Sequence, residues 1–387
     1  MKFREALELL RDTGNDPILL KGRQPGKEVL CAPTLVGRVI TSTFEAASGE
    51  ALGWIGVDAI QSGPVDSVFN NFGGEDRLWF GPEGSQFGLH FTNKEQTFSH
   101  YRVQHGMSSQ AYNIAQVSPG NDFVVMKASI QLQNLAGTQF DIEVERTARI
   151  VDYCPYTVGI PGPVEFVGFQ TENLVINRNR LPIRGETGLL CCWTPGQHPS
   201  RPRSVVVIPF RAGPSNQLGE PIREDYFVDL CPGGRFPAER WWIGNDHALM
   251  RADNQCRVKV GLGPKRAKNR LGSIDLETFE LTIHDFDLYP EIPYVAPYWR
   301  ELSPSELMEG EAISVYIDGP EEGGGEARSF YELETLSPAM PLNPGEGFVH
   351  RNRVFHIRGS RSAIDAIARR FLRTDFAEIA NTFMDPT

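Results

Sequence analysis

The sequence predicts a mainly β protein: large antiparallel sheets closed by a short helix at each end. Three observations carry this. Glycine and proline are plentiful, 38 and 28 of 387 residues, and both punctuate turns between short strands. Many segments alternate apolar and polar residues, as strands with one wet face do. Helical periodicity occurs only near the two termini.

The first element is a helix over residues 1–12. Phe3, Ala6, Leu7 and Leu10 fall on one face at helical spacing. Strands are then expected over Val36–Phe44, Phe87–Phe91, Phe123–Leu132 and the region around Phe140, Ile142 and Val144, where apolar residues alternate with acids. Further strands are expected over Val164–Ile176, Ser204–Phe210, Arg257–Leu262, Leu276–Ile283, Ile313–Ile317 and Val349–Ile357. Pro195-Gly196, Pro232-Gly233-Gly234 and Gly323-Gly324-Gly325 read as breaks between them. The Gly/Glu-rich run Glu321–Glu326 reads as a loop. The last element is a helix over 361–383, with Ile364, Ile367, Ala368, Phe371 and Leu372 as its apolar face. Ser362 and Asp365 form an approximate capping box before it. No fixed-period repeat and no linker divides the chain, so a single domain over 1–387 is expected, its β part spanning about 30–360.

Composition narrows the function. A net charge of −11 disfavours nucleic acid and anionic membranes as partners. No apolar run is long enough to cross a bilayer. Residues 1–12 lack the basic and apolar regions of a leader, so a cytoplasmic location is expected, or an exported one if a leader was removed. The six cysteines show no metal-binding spacing and read as buried thiols. No metal or other cofactor is expected. P-loop, dinucleotide, serine-hydrolase and zincin motifs are all missing.

Three segments carry candidate chemistry. Residues 70–91, NNFGGEDRLWFGPEGSQFGLHF, place Glu75, Asp76, Arg77, Glu83, Gln86 and His90 among glycines and the rings of Trp79 and Phe80. Aromatic platforms beside polar forks suit a sugar, whose ring has an apolar face and paired hydroxyls. The competing reading is a buried turn satisfied by Asp76 and Arg77. In residues 330–358, Glu332 and Glu334 lie two apart in a probable strand, on one face and about 7 Å apart. A carboxyl pair supplies a general base if one pKa is raised; otherwise the two are solvated. His350 and His356 share a face but stand about 20 Å apart, so at most one serves a given substrate atom. Residues 257–268 gather Lys259, Lys265, Arg266 and Lys268, a cluster able to hold a phosphate or uronate, or merely a solvated hairpin tip. Arg38, Asn173, Asn177, Asp225, Tyr226 and Asp318 are lesser candidates.

The runs GRVITSTF (37–44), GWIGVDAI (53–60), NFGGEDRLWFGPEGSQFGLHF (71–91), VGLGPKRAKNRLGSID (260–275) and FYELETLSPAMPLNPGEGFVH (330–350) resemble those of a family of uncharacterised bacterial proteins. That family resembles the galactose mutarotase-like, aldose 1-epimerase-type superfamily. The resemblance runs in order from about residue 35 to about 372. It implies a β-supersandwich with a sugar cleft on a concave face. It also implies cofactor-free acid–base chemistry, in which a His protonates the ring oxygen and a Glu takes the anomeric proton. The run YELETLSP implies that Glu332 or Glu334 is that Glu, with His90 or His350 as acid. Gly73, Gly74, Trp79 and Pro82 match the superfamily's sugar-site segment. The chain departs from the pattern in two places. The two central His motifs have no counterpart, although His90, His105 and His247 are of the right type. Ile317 also stands where an Asn is expected before Asp318-Gly319-Pro320.

The leading expectation is a protein that binds or isomerises a sugar or sugar derivative in one cleft, its partner a small carbohydrate or oligosaccharide. Arg38, Glu75, Asp76, Arg77, Trp79, Glu83, Gln86, Lys259, Lys265 and Arg266 are the candidate contacts. A non-catalytic binding module, a polysaccharide lyase or glycosidase, and a structural β-domain are the alternatives. Enzymatic activity, the identity of the sugar and the oligomeric state stay open.

Overall fold

The structure is a computed structural model that describes residues 1–65, 69–224, 226, 237–320 and 329–383. Three antiparallel sheets form it. The largest has ten strands, in the order Trp241–Ile243, His247–Arg251, Ser204–Pro209, Arg270–Asp275, Glu280–Phe286, Gly347–Gly359, Val164–Asn177, Gln139–Ile150, Phe123–Gln133 and Asn113–Val117. A five-stranded sheet runs Val258–Leu262, Ile313–Ile317, Phe330–Leu336, Cys191–Pro199, Trp79–Gly81. A three-stranded sheet holds Ile18–Lys21, Glu28–Ala32 and Arg38–Thr43.

Side-chain alternation explains the layering. In Gln139–Ile150 every second residue is buried while its neighbours reach solvent. Phe330–Leu336 is buried on both faces. Tyr331 and Thr335 point to the ten-stranded sheet, where they meet Ser273 and Asn352 at 2.7 and 3.3 Å. The intervening Glu332 and Glu334 face the other way. A continuous apolar core joins the two large sheets, from Leu20 and Val29 to Phe169, Leu333 and Val354. The outer face of the ten-stranded sheet is covered by the C-terminal helices through Ile364, Ile367, Leu372 and Phe376. The N-terminal helix, Phe3–Asp12, buries Phe3, Ala6 and Leu10 against Leu30 and Ile40 of the small sheet.

The observed elements depart from expectation at identifiable places. Pro195-Gly196 is not a break but lies inside Cys191–Pro199. That strand is buried along most of its length, so its sequence shows no alternation. Pro195 needs no amide hydrogen there, and its carbonyl accepts from Arg77 N at 3.2 Å. Gly196 is required because a Cβ would stand 2.2 Å from the Glu75 carbonyl oxygen. Phe87–Phe91 is not a strand. The chain turns there, with Ser85 at φ 74° and Gly88 N donating to Ser85 O. Leu276–Ile283 is interrupted by a turn, and its strand is Glu280–Phe286. The 361–383 helix breaks at Arg373, φ 71°, leaving Phe376–Phe383 as a separate helix. Its cap is Ser360, whose side chain accepts from Ala363 N, and not Ser362. The Gly/Glu loop, the Pro232 turn, Cys231 and Asp225 lie outside the described residues. The five described cysteines are buried and unbridged. Among the described residues no helix is long and apolar enough to cross a membrane.

Candidate functional site

The face of the five-stranded sheet turned away from the ten-stranded one carries a buried charge cluster. Register places Glu332 opposite Gln197 on one side and Tyr316 on the other, so the three side chains share a face. Arg77 reaches the same spot from the segment crossing the strand end. Its Nη2 donates to Glu332 Oε1 at 2.8 Å, and Gln197 Nε2 donates to the same oxygen at 2.7 Å. The neighbouring Glu334 carboxyl is hydrogen-bonded to Glu332 as well. Glu332 is 6% exposed, so the clamped carboxylate barely reaches solvent. Burial would lift the Glu332 pKa, but Arg77, the hydrogen bond with Glu334 and Lys259 carry it below the usual carboxylate range.

Glu334 sits one step deeper and is fully buried. Trp193 Nε1 donates to its Oε2 at 2.8 Å, and Lys259 Nζ lies 3.6 Å away. Burial and the nearby Glu332 charge push its pKa up to about 8, against the pull of Lys259. One carboxyl of the pair is therefore ionised at neutral pH and the other holds a proton. Folded chains keep the Glu334 proton to about pH 8, whereas unfolded chains release it near 4.5. The folded state thus binds the extra proton across this window, so Glu334 makes the unfolding free energy fall as pH rises through it, levelling above about 8. Urea unfolding between pH 5.5 and 8.5 checks this. Glu334→Gln should flatten the slope relative to the unsubstituted chain.

Lys259 ties the site together. Its Nζ donates to Glu83 Oε2 at 3.0 Å and lies 4.3 Å from the Trp193 ring centre. The other Glu83 oxygen accepts from Tyr101 OH at 3.1 Å. Tyr101 also lies 3.4 Å from His90 Nδ1. His90 Nε2 is 3.0 Å from the Phe80 carbonyl oxygen, which can only accept, so Nε2 carries the proton and Nδ1 is bare. Burial lowers the His90 pKa to about 4, so the ring is neutral and has no spare proton to donate. The Arg77 guanidinium lies 4.4 Å over the Trp79 ring, and Trp79 Nε1 is used by Met107 O. The rings of Trp54 and Tyr316 each meet Phe330 at a tilt, with centres 4.8 and 6.0 Å apart. A small cavity of about 10 Å³, room for a single water, lies beside Glu83, Trp193, Tyr226, Lys259 and Ser314.

The structure thus brings together Arg38, Arg77, Trp79, Glu83, His90, Lys259, Glu332 and Glu334 of the expected residues. The others are placed elsewhere. Asp76 forms a fully buried ion pair with Arg146, and its second oxygen accepts from Thr171 and from Asn352. Asn173 serves the same Arg146. Glu75 bonds Ser42 and, at 3.0 Å, His356, which lines a different cleft of about 40 Å³. Gln86 is consumed by both backbone groups of Leu302. His350 is buried between the sheets near Thr335, on the opposite face of Phe330–Leu336 from the two glutamates. The basic run does not cluster. Arg266 is buried and holds the carbonyls of Arg211, Gly213 and Gly219, and Lys265 faces solvent. Asn177 fixes a turn through Leu342 O, and Asp318 accepts from Tyr316. Gln197, Trp193 and Tyr101 were not anticipated; the Pro-Gly pair hid the strand that positions the first two. Among the described residues no group of three or more His, Cys, Asp or Glu is arranged to hold a metal.

The fold, with its large antiparallel sheets, is that of the galactose mutarotase-like proteins. The chain aligns over 89% of its length with 99% of a candidate aldose 1-epimerase from Escherichia coli K12, at 10% identity and TM-score 0.54. It aligns over 88% with 100% of a galactose mutarotase-like protein from Lactobacillus casei ATCC 334, at 11% identity and TM-score 0.51. No curated protein is significantly similar. The chain belongs to the family of unknown function DUF6786, whose model matches residues 1–383.

Proposed function

We propose that this protein binds a sugar at the face of the five-stranded sheet turned away from the ten-stranded one and interconverts its anomers by acid–base catalysis without a cofactor. The observation that carries the reading is the Glu332–Glu334 pair, an ionised carboxylate gripped by Arg77 and Gln197 and hydrogen-bonded to a protonated neighbour. Glu332 takes the proton of the anomeric hydroxyl as the ring opens. Glu334, buried behind it, holds the second proton at neutral pH, and that proton reaches the ring oxygen by way of the hydrogen bond shared with Glu332. Arg77 and Gln197 fix the base, while the Trp54, Tyr316 and Phe330 rings offer apolar walls to a sugar face.

The test is anomer exchange followed by NMR for a panel of aldoses and sugar acids, together with calorimetric binding. Acceleration for at least one member supports the isomerase. Binding without acceleration makes the protein a sugar-binding module, and neither result for any sugar removes the reading.

A further inference from the structure

Two arginines at this site carry more positive charge than the described residues neutralise. Val39 and Asp76 pair across an antiparallel bridge, with both amide hydrogen bonds made. One step along, Arg38 and Arg77 stand opposite each other, where facing Cβ atoms lie about 4.5–5.5 Å apart. Arg38 is fully buried and Arg77 is 1% exposed. Like charges placed so oppose folding, and a buried charge without a counter-ion costs several kcal/mol, on the order of what breaking a buried pair costs.

The bonds they make do not offset this. Arg38 Nη1 donates to the Gly73 carbonyl at 2.7 Å; among the described residues its Nε and Nη2 have no acceptor. Arg77 Nη2 uses Glu332; its Nε and Nη1 have none among the described residues. One carboxylate thus faces two guanidiniums and four nitrogens stay unsatisfied. Burial, then the Arg77 charge, pushes the Arg38 pKa well down. The neighbouring acids are committed: Asp76 to Arg146, Glu83 to Lys259, Glu75 to His356. Phe72 lies 5.3 Å from Arg38 and Trp79 4.4 Å from Arg77, so rings cover guanidinium faces and leave in-plane edges for a fork.

We infer that the buried, unpaired edges of Arg38 and Arg77 hold an oxyanion carried by the sugar ligand, a carboxylate or a phosphate, beside Glu332. The inference rests on the sugar reading above and narrows its ligand to an acidic sugar. Planar guanidinium edges bind both oxyanions with paired N–H groups.

The experiment is calorimetric titration of the full chain with D-glucuronate, D-glucose 6-phosphate, D-glucose and inorganic phosphate, repeated on Arg38→Met and Arg38→Lys. An acidic sugar should bind at least tenfold more tightly than D-glucose. Arg38→Met should erase that advantage, and Arg38→Lys should retain part of it. Preference for glucuronate identifies a carboxylate, and preference for glucose 6-phosphate a phosphate. Inorganic phosphate binding that depends on Arg38, with no sugar bound, keeps the oxyanion site and removes the sugar reading. Equal affinity for D-glucose and both acidic sugars, or binding unaffected at Arg38, overturns the inference. Arg38→Met loses a buried charge and should unfold at a temperature no lower than the unsubstituted chain in anion-free buffer, which keeps the comparison on folded protein.

Discussion

Glu332→Gln should slow anomer exchange by about 10²–10⁴-fold, the usual worth of a positioned general base. The amide keeps the size of the side chain, and its oxygen can still accept from Arg77 and Gln197. Sugar affinity should change far less than the rate, because the walls and the guanidinium fork remain. The loss should therefore appear in kcat and not mainly in KM. Loss of the Glu332 charge also leaves Arg77 beside Arg38 with no counter-ion, so some fall in stability accompanies it. Unfolding measured in parallel separates the two effects. A rate within threefold of the unsubstituted protein would remove Glu332 from the chemistry.

Asp76→Asn carries the largest expected effect on stability. Asp76 and Arg146 are both completely buried and joined by a short ion pair. Arg146 also donates to the Gly37 carbonyl at 2.8 Å, and so pins the small sheet to the ten-stranded one. Removing one charge of a buried pair costs about 3–5 kcal/mol, because the remaining ion is left uncompensated. That is a large share of the roughly 5–15 kcal/mol that holds a typical domain together. Urea unfolding should show it, and Asp76→Asn combined with Arg146→Met should recover part of the loss. A change under about 1 kcal/mol for the single substitution, well below the 3–5 expected, would mean that the pair does not carry the junction.

How much of the site could be read in the chain depends on the range over which its contacts form. Glu332 and Glu334 were placed on one face by the two-residue period alone, and the strand Phe330–Leu336 puts them there. The Arg77–Trp79 pairing follows from a local run of residues. Asp76 belonged to the same run, yet its partner lies 70 residues away, so no local pattern separates an ion-pair acid from a ligand-facing one. Lys259 was grouped with Lys265 and Arg266 because they are close in sequence. The strand Val258–Leu262 ends before them, and each then faces a different environment. Gln197 stayed hidden because Pro195-Gly196 is ordinarily a turn, and here backbone crossing from residues 74–77 makes use of the missing amide hydrogen and the missing Cβ. His350 shares its strand parity with His356, which says that both face one way but not which way that is.

The most direct test of the acid–base account is the pH dependence of the anomer exchange rate for a sugar that the protein binds. The account predicts a plateau near neutral pH and a fall as Glu334 loses its proton near pH 8. In Glu334→Gln the plateau should collapse and the alkaline fall should vanish. A rate that stays flat from pH 6 to 10, or an unchanged profile in Glu334→Gln, would contradict it.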